Sequence, residues 1–278
     1  MKIAQIAPLI ESVPPRRYGG TERIVSYLTE ELVAQGHEVT LFASGDSVTA
    51  AELVPCCTRA IRLDPDAQDH IPYYMLMLDK ARTRAAEFDI LHFHMDHLHF
   101  PVFREIANRT VTTLHGRQDS RDCQPFFAGF HDMPLVSISN AQRAPVPHAN
   151  FLATVHNALP ADLYRPNFAP GGAYLAFVGR ISPEKGPADA IRIAQGLGIP
   201  LKMAAKVDKV DEAYFREVVQ PLLEGPGVEF IGEVGDAEKG ELLRGAIALL
   251  FPICWPEPFG LTMIEAMACG TPVLAFGC

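Results

Sequence analysis

Short apolar runs separated by helix-patterned stretches recur along the whole chain, and this alternation limits the folds open to it. Runs at 2–8, 39–43, 89–93, 110–114, 135–139 and 151–155 read as strands. A segment with two prolines and two glycines, 164–172, reads as a linker. A second series then begins at 173–178 and continues at 201–205, 228–231, 246–251 and 273–276. Helix patterns fall between strands at 21–36, 71–88, 187–196, 211–223, 237–244 and 260–269, while 44–69 reads as polar and irregular. Strand and helix in regular alternation imply parallel sheets covered by helices. The expectation is an α/β chain of two Rossmann-like doubly wound domains, 1–165 and 166–278. The second reads as incomplete: it has five strands where such a domain commonly has about six, and it stops after 273–276 without a closing helix.

The stretch from Trp255 to Gly270 combines helix signals with two carboxylates in apolar surroundings. Pro256 and Pro258 force an extended approach, and good helix formers then run to a glycine stop at Gly270. The first N–H groups of a helix lack internal partners and carry partial positive charge, so Phe259, Gly260 and Leu261 can receive a phosphate. Glu265 lies roughly 7–8 Å beyond Gly260 at the helical rise, about the step from a diphosphate to the ribose of the same nucleotide. Its two oxygens can accept from paired hydroxyls, and Glu257, before the helix, can accept from a sugar on the other side. The competing reading is a surface helix with a solvated Glu265. Upstream, Arg180 and Lys185 share a loop after strand 173–178 and can meet phosphate charge as a planar fork and a flexible point charge. The alternative there is a solvated pair with Glu184.

In the first half, Gly19 and Gly20 stand at the entrance of a helix that Thr21 is expected to cap, where they face an anion or simply form a tight turn. His115 follows strand 110–114, at the carboxyl end where doubly wound sheets place ligands. Lys206 and Gly232 also sit at strand ends. His92, His94, Asp96 and His97 spell H-x-H-x-D-H, which is similar to the metal motif of metallo-β-lactamase-type hydrolases. Three readings stay open for it: a metal site, structural histidines, or a strand end lining a site. Asp64-Pro65-Asp66 spells D-x-D, but proline between two acids in a loop marks a turn.

A formal charge of −9 over 278 residues argues against a general nucleic-acid binder. Six cysteines without a C-x-x-C pair suit reduced thiols in a cytoplasmic protein. The amino-terminal apolar run meets glutamate and two prolines too soon for a signal peptide or a membrane span, so membrane contact is possible but not indicated.

Glu257 and Glu265 with seven residues between resemble the E-x7-E signature of family 4 retaining glycosyltransferases of GT-B fold. The segment 179–186 is similar to that family's G-R-x-x-P-E-K-G element, 113–116 to its T-L-H-G, and 139–143 to its S-x-x-Q-R. The resemblance runs through the whole chain. It implies two domains facing a cleft, a nucleotide-diphosphate sugar as donor with no further cofactor and no metal, and a hydroxyl acceptor that the sequence does not identify. Transfer would retain the anomeric configuration.

The resemblance further implies Glu257 and the amides of Phe259 to Leu261 around sugar and phosphate, and Glu265 on the ribose. His115, Gly19 and Gly20 are implied from the first domain. By their charge and loop position Arg180 and Lys185 are expected to meet the leaving diphosphate, and by their strand-end positions Lys206 and Gly232 are expected to flank the base. Acceptor contacts fall to Arg16, Arg17, Tyr18 and the 117–130 loop. Ala158 departs from the family pattern, where glycine follows Asn157, and this puts a left-handed turn there in doubt. Family members also continue through another strand and a terminal helix, so an exposed, partly unstable second-domain edge is expected. The alternatives are a metal-dependent hydrolase using His92, His94, Asp96 and His97, and a noncatalytic nucleotide-sugar-binding fragment.

Overall fold

The computed structural model describes residues 1–169 and 171–277. The chain divides into two compact units, Met1–Ala158 and Leu159–Cys278. In the first, β1 (Lys2–Ile6), β2 (Glu38–Ser44), β3 (Glu52–Cys57), β4 (Ile90–Phe93), β5 (Thr110–Thr113), β6 (Leu135–Ser137) and β7 (Phe151–Thr154) form one sheet in the order β3-β2-β1-β4-β5-β6-β7. Every pairing is parallel. Strand period sends alternate residues to opposite faces. Phe42, with Ala4, Ile6, Leu91 and Phe93, packs on Met77 and Leu78 of the helix Ile71–Thr83. Leu41 and Ala43 instead meet Val25 of the helix Gly20–Ala34.

In the second unit, β8 (Leu175–Arg180), β9 (Leu201–Lys206), β10 (Val228–Gly232), β11 (Ala248–Phe251) and β12 (Val273–Ala275) pair in parallel in the order β10-β9-β8-β11-β12. Phe177, Leu201, Met203 and Leu250 pack on Ile191 and Ala194 of the helix Pro187–Leu197. Ala176, Leu249 and Phe251 face Leu243 and Ala266 on the opposite side. Strand order reverses between β8 and β11, so the loops after these two strands are brought to one place, where open parallel sheets take ligands. β12 forms an edge, with Leu274 and Phe276 about half exposed.

Four local expectations need correction. The 117–130 segment is not a loop throughout, since the helix Cys123–Gly129 lies within it. The stretch 44–69 is not irregular throughout, because β3 lies within it as an edge strand. Pro55 hid it: a proline argues against a strand, yet an edge tolerates the missing N–H. Thr21 does not cap its helix, which begins at Gly20 with Gly19 as the flanking residue and no side-chain cap. The helix expected over 211–223 is interrupted by a π turn at Phe215–Val219, ahead of Pro221, whose ring cannot accept regular helix spacing. Ala158 is not left-handed, since no described residue other than glycine has positive φ. No described helix is long and apolar enough to cross a membrane.

Candidate active site

The site grows from the switch point of the second sheet. After β8, Ser182 to Lys185 make a tight turn, and Gly186, at φ +68°, turns the chain into the helix begun by Pro187. A Cβ on Gly186 would stand 2.1 Å from the Pro252 carbonyl oxygen, so this turn lies directly on the segment following β11. The Cys254 amide donates to the Glu184 carbonyl at 3.0 Å. The cationic turn and the approach to the final helix are thereby one structure.

Their side chains meet as well. Lys185 Nζ is 2.5 Å from Glu257 Oε2 and 4.7 Å from the centre of the Trp255 ring. Trp255 Nε1–H donates to the same carboxylate oxygen at 2.6 Å. Arg180, at the end of β8, pairs with Glu184 and stands 3.4 Å from Asp211 and 4.0 Å from Asp208. Burial alone would raise the Glu184 carboxyl, but its own amide, Ser182 and Arg180 outweigh burial and hold it below the usual range. Burial raises the Asp211 carboxyl, against the pull of Arg180. Lys206, almost buried at the end of β9, lies 2.8 Å from Asp208 Oδ1, so Asp208 links the two strand-end cations. Gly232 closes β10 at φ +85°.

Gly260 is left-handed at φ +85° and starts the helix Leu261–Ala268, to which Phe259 leads. The Met263 amide donates back to the Gly260 carbonyl at 3.0 Å, closing the first turn of this helix. Glu265, on the next turn, is only 2% exposed and is not the solvated surface residue of the competing reading. Its Oε1 holds Lys239 Nζ at 2.5 Å, and Lys239 also reaches Asp236 at 3.2 Å. Among the described residues, no hydrogen bond engages Glu265 Oε2.

In the first unit, His115 follows β5 and its Nε2 lies 3.0 Å from His94 Nδ1. Gln142 holds its loop: Nε2 donates to the carbonyls of Leu114 and Gly116 at 2.9 and 2.8 Å, while Oε1 accepts from the Ile138 amide at 2.8 Å. Ser139 caps the short helix carrying Gln142 through the Gln142 amide at 3.0 Å. The S-x-x-Q pattern therefore builds the support of His115. Gly19, at φ +154°, packs so closely that a Cβ there would sit 2.7 Å from Pro15, and Gly20 is exposed at the start of its helix.

The H-x-H-x-D-H segment does not gather as a metal centre. His94 spends both ring nitrogens on Gln5 and His115, and His92 Nε2 is 2.8 Å from Thr113 Oγ1. His99 stacks on Phe93 with ring centres 3.9 Å apart. No cluster of three His, Cys, Asp or Glu among the described residues is arranged to hold a metal ion. Asp64-Pro65-Asp66 forms a turn in which the Asp66 amide donates to Asp64 Oδ1 at 3.1 Å. Lys239, Asp208, Asp211 and Gln5 are the residues that the sequence did not single out, while Trp255 and Gln142 stood inside recognised stretches without a role. Each contributes through a partner distant in the chain or through a buried amide, and only the S-x-x-Q spacing offered a signal.

Two all-parallel units with ligand-ready loops at the strand ends have the architecture of the GT-B glycosyltransferases. AviGT4, a glycosyltransferase involved in avilamycin A biosynthesis, superposes with a TM-score of 0.70 at 25% identity, over 99% of this chain and 79% of that one. The Anabaena protein HepE, solved with UDP and glucose, superposes at 0.73 and 19% identity over 99% and 80%. Residues 18–182 match the model described as Glycosyltransferase Family 4, and 164–277 match Glycosyl transferases group 1. This chain belongs to glycosyltransferase family 4. The phosphatidyl-myo-inositol mannosyltransferase of Mycobacterium leprae is 26% identical over 99% of this chain and 78% of its own length.

Proposed function

We propose that the protein transfers a sugar from a nucleoside-diphosphate donor to an acceptor hydroxyl with retention of anomeric configuration, using its own cations on the diphosphate. The observation that carries the reading is the union of the Arg180–Gly186 turn with the Cys254–Gly260 approach, fastened by Lys185 on Glu257. The HepE structure with UDP and glucose, on the same fold, supports the donor class.

In this reading the diphosphate lies against Arg180, Lys185 and the amides of Phe259 to Leu261. Glu257 accepts from sugar hydroxyls, and Glu265 Oε2 accepts from the ribose while Oε1 stays on Lys239. Lys206 and Gly232 flank the base, and His115, Gly19 and Gly20 serve the sugar. The bond from the anomeric carbon to the diphosphate oxygen breaks as the acceptor oxygen bonds to the same face. The acceptor proton passes to the leaving phosphate oxygen, and negative charge accumulating on the diphosphate is met by the fixed cations. Acceptor contacts are assigned to Arg16, Arg17, Tyr18 and the 117–130 segment, which contains the helix Cys123–Gly129.

Trp255 is the chain's single tryptophan and touches both Lys185 and Glu257, so its fluorescence reports the site directly. A panel of UDP, GDP, ADP and their sugar forms should contain one nucleotide that changes this emission and raises the melting temperature. The matching sugar nucleotide should then be hydrolysed slowly or transferred. Arg180→Ala and Lys185→Ala should slow turnover by orders of magnitude in folded protein. A panel in which no nucleotide binds would refute the reading.

A further inference from the structure

The carboxyl ends of β4 and β5 carry a chain of hydrogen bonds that donor binding alone leaves unexplained. Gln5 on β1 is fully buried and pairs in register with His92 on β4. Its Oε1 lies 2.7 Å from His94 Nε2. An amide oxygen only accepts, so His94 carries its proton on Nε2 and presents a lone pair at Nδ1. That lone pair faces His115 Nε2 at 3.0 Å, and His115 must donate there. The other end of the Gln5 amide faces His92 Nδ1 at 3.5 Å, and His92 Nε2 completes the set with Thr113 Oγ1 at 2.8 Å.

All three rings are neutral at physiological pH. Burial, with the neighbouring rings, holds His94 well below its ordinary value, and burial lowers His92 to about 4. Burial first and His92 second bring His115 down to about 3. A neutral imidazole has one donor and one acceptor nitrogen, so fixing the first fixes the second. The relay runs outward, from Gln5 at 0% and His94 at 3% exposure to the half-buried His115, whose loop is already clamped by Gln142.

We propose that Gln5, acting through His94, is a positioning residue that locks His115 as the Nε2–H tautomer and leaves Nδ1 as a fixed acceptor for a ligand hydroxyl. That the hydroxyl belongs to the donor sugar rests on the function proposed above; the tautomer does not. An acceptor fixed in this way selects a hydroxyl that can donate and disfavours an ether or carbonyl at the same place.

The test is nitrogen-15 spectroscopy of the histidine rings in the full chain, with His115 assigned by loss of its signals in His115→Asn. Long-range proton–nitrogen correlations distinguish Nε2–H from Nδ1–H directly. The wild type should show one tautomer at His115, Nε2–H. Gln5→Leu removes the acceptor for His94 Nε2–H at similar volume, so His94 should move its proton to Nδ1 and His115 should become Nδ1–H or a mixture. Gln5→Glu, which can only accept at that place, should restore the wild-type pattern. Should Gln5→Leu fail to fold, His94→Phe breaks the same link and should likewise release His115.

A wild-type Nδ1–H ring, or a tautomer indifferent to both Gln5→Leu and His94→Phe, would overturn the proposal. Titrating the same samples with UDP-glucose and GDP-mannose separates the two readings. A Gln5-dependent tautomer in a protein that binds no nucleotide leaves the relay standing and removes the sugar as its ligand. Nucleotide binding with an indifferent tautomer does the reverse.

Discussion

At the scale of single residues, the site depends on charges taken out of water in pairs. Glu265 and Lys239 have side chains only 3% and 11% exposed, and their contact spans 26 residues of sequence. Removing one partner strands the other, which typically costs about 3–5 kcal/mol, whereas replacing both by apolar residues is often close to neutral. Lys239→Met should therefore destabilise the protein strongly in urea, and Lys239→Met with Glu265→Leu should recover most of the loss while, on the proposed function, abolishing ribose recognition. A single variant as stable as wild type would show that the pair is not desolvated. Glu265 was legible in the sequence because its spacing from Glu257 is local, but Lys239 was not, since nothing in the helix Asp236–Gly245 marks the residue that turns inward to meet it. The histidines give a second prediction. His92 and His115 are lowered from 6.5 to about 4 and about 3 by burial, and burial also depresses His94 and His99. The folded state refuses protons that the unfolded state takes up below about 6.5, so their contribution to stability is complete above that pH and is lost as pH falls toward the folded values. Each ring adds a slope of up to about 1.4 kcal/mol per pH unit in this window. Urea midpoints should fall steadily from pH 6.5 to about 4; a flat profile would mean that the rings are protonated in the folded protein.

At the scale of elements, two left-handed glycines do unequal work. Gly186 and Gly260 each have positive φ, and an alanine at either position meets roughly 1–2 kcal/mol of backbone strain. Their surroundings differ. A Cβ at Gly186 collides with the backbone oxygen of Pro252 at 2.1 Å, but at Gly260 the nearest atom, at 2.3 Å, is the terminal methyl of Met263, which can swing away. Gly186→Ala should accordingly cost clearly more stability than Gly260→Ala and should detach the cationic turn from the Glu257 segment. Melting temperature together with Trp255 emission checks this, and equal effects of the two variants would show that the turn and the segment are not braced together. Alternating apolar runs and the proline and glycine punctuation made most of these elements readable. What escaped was β3, where Pro55 broke the strand pattern, and the π turn before Pro221, where helix periodicity masked a backbone interruption. The loops after β8 and β11 were recognisable singly, but their convergence follows from the sheet order, which no local pattern encodes.

At the scale of the whole molecule, the two units carry separate sheets and separate cores, so one melting temperature need not describe both. Every histidine shifted by burial lies within Met1–Ala158, whereas the turn, the helix start and both glutamates assigned to the donor lie within Leu159–Cys278. Acid and nucleotide should for that reason act on different units. A ligand that binds only the folded form at a hundredfold excess over its Kd adds about 2.7 kcal/mol to the stability of what it binds. Amide hydrogen exchange with a saturating nucleoside diphosphate should then slow at 180–186 and 254–265 and in the core strands β8, β9 and β11, leaving β1 and β4 at their free rates. Lowering the pH to about 5 should instead speed exchange in β1, β4 and β5, once the intrinsic pH dependence of exchange is corrected, because the rings that resist protonation sit on or beside these strands. Protection by the nucleotide confined to the first unit would remove the diphosphate from Arg180 and Lys185. Acid sensitivity shared equally by both units would mean that they unfold as one cooperative body, a coupling that their separate cores do not require.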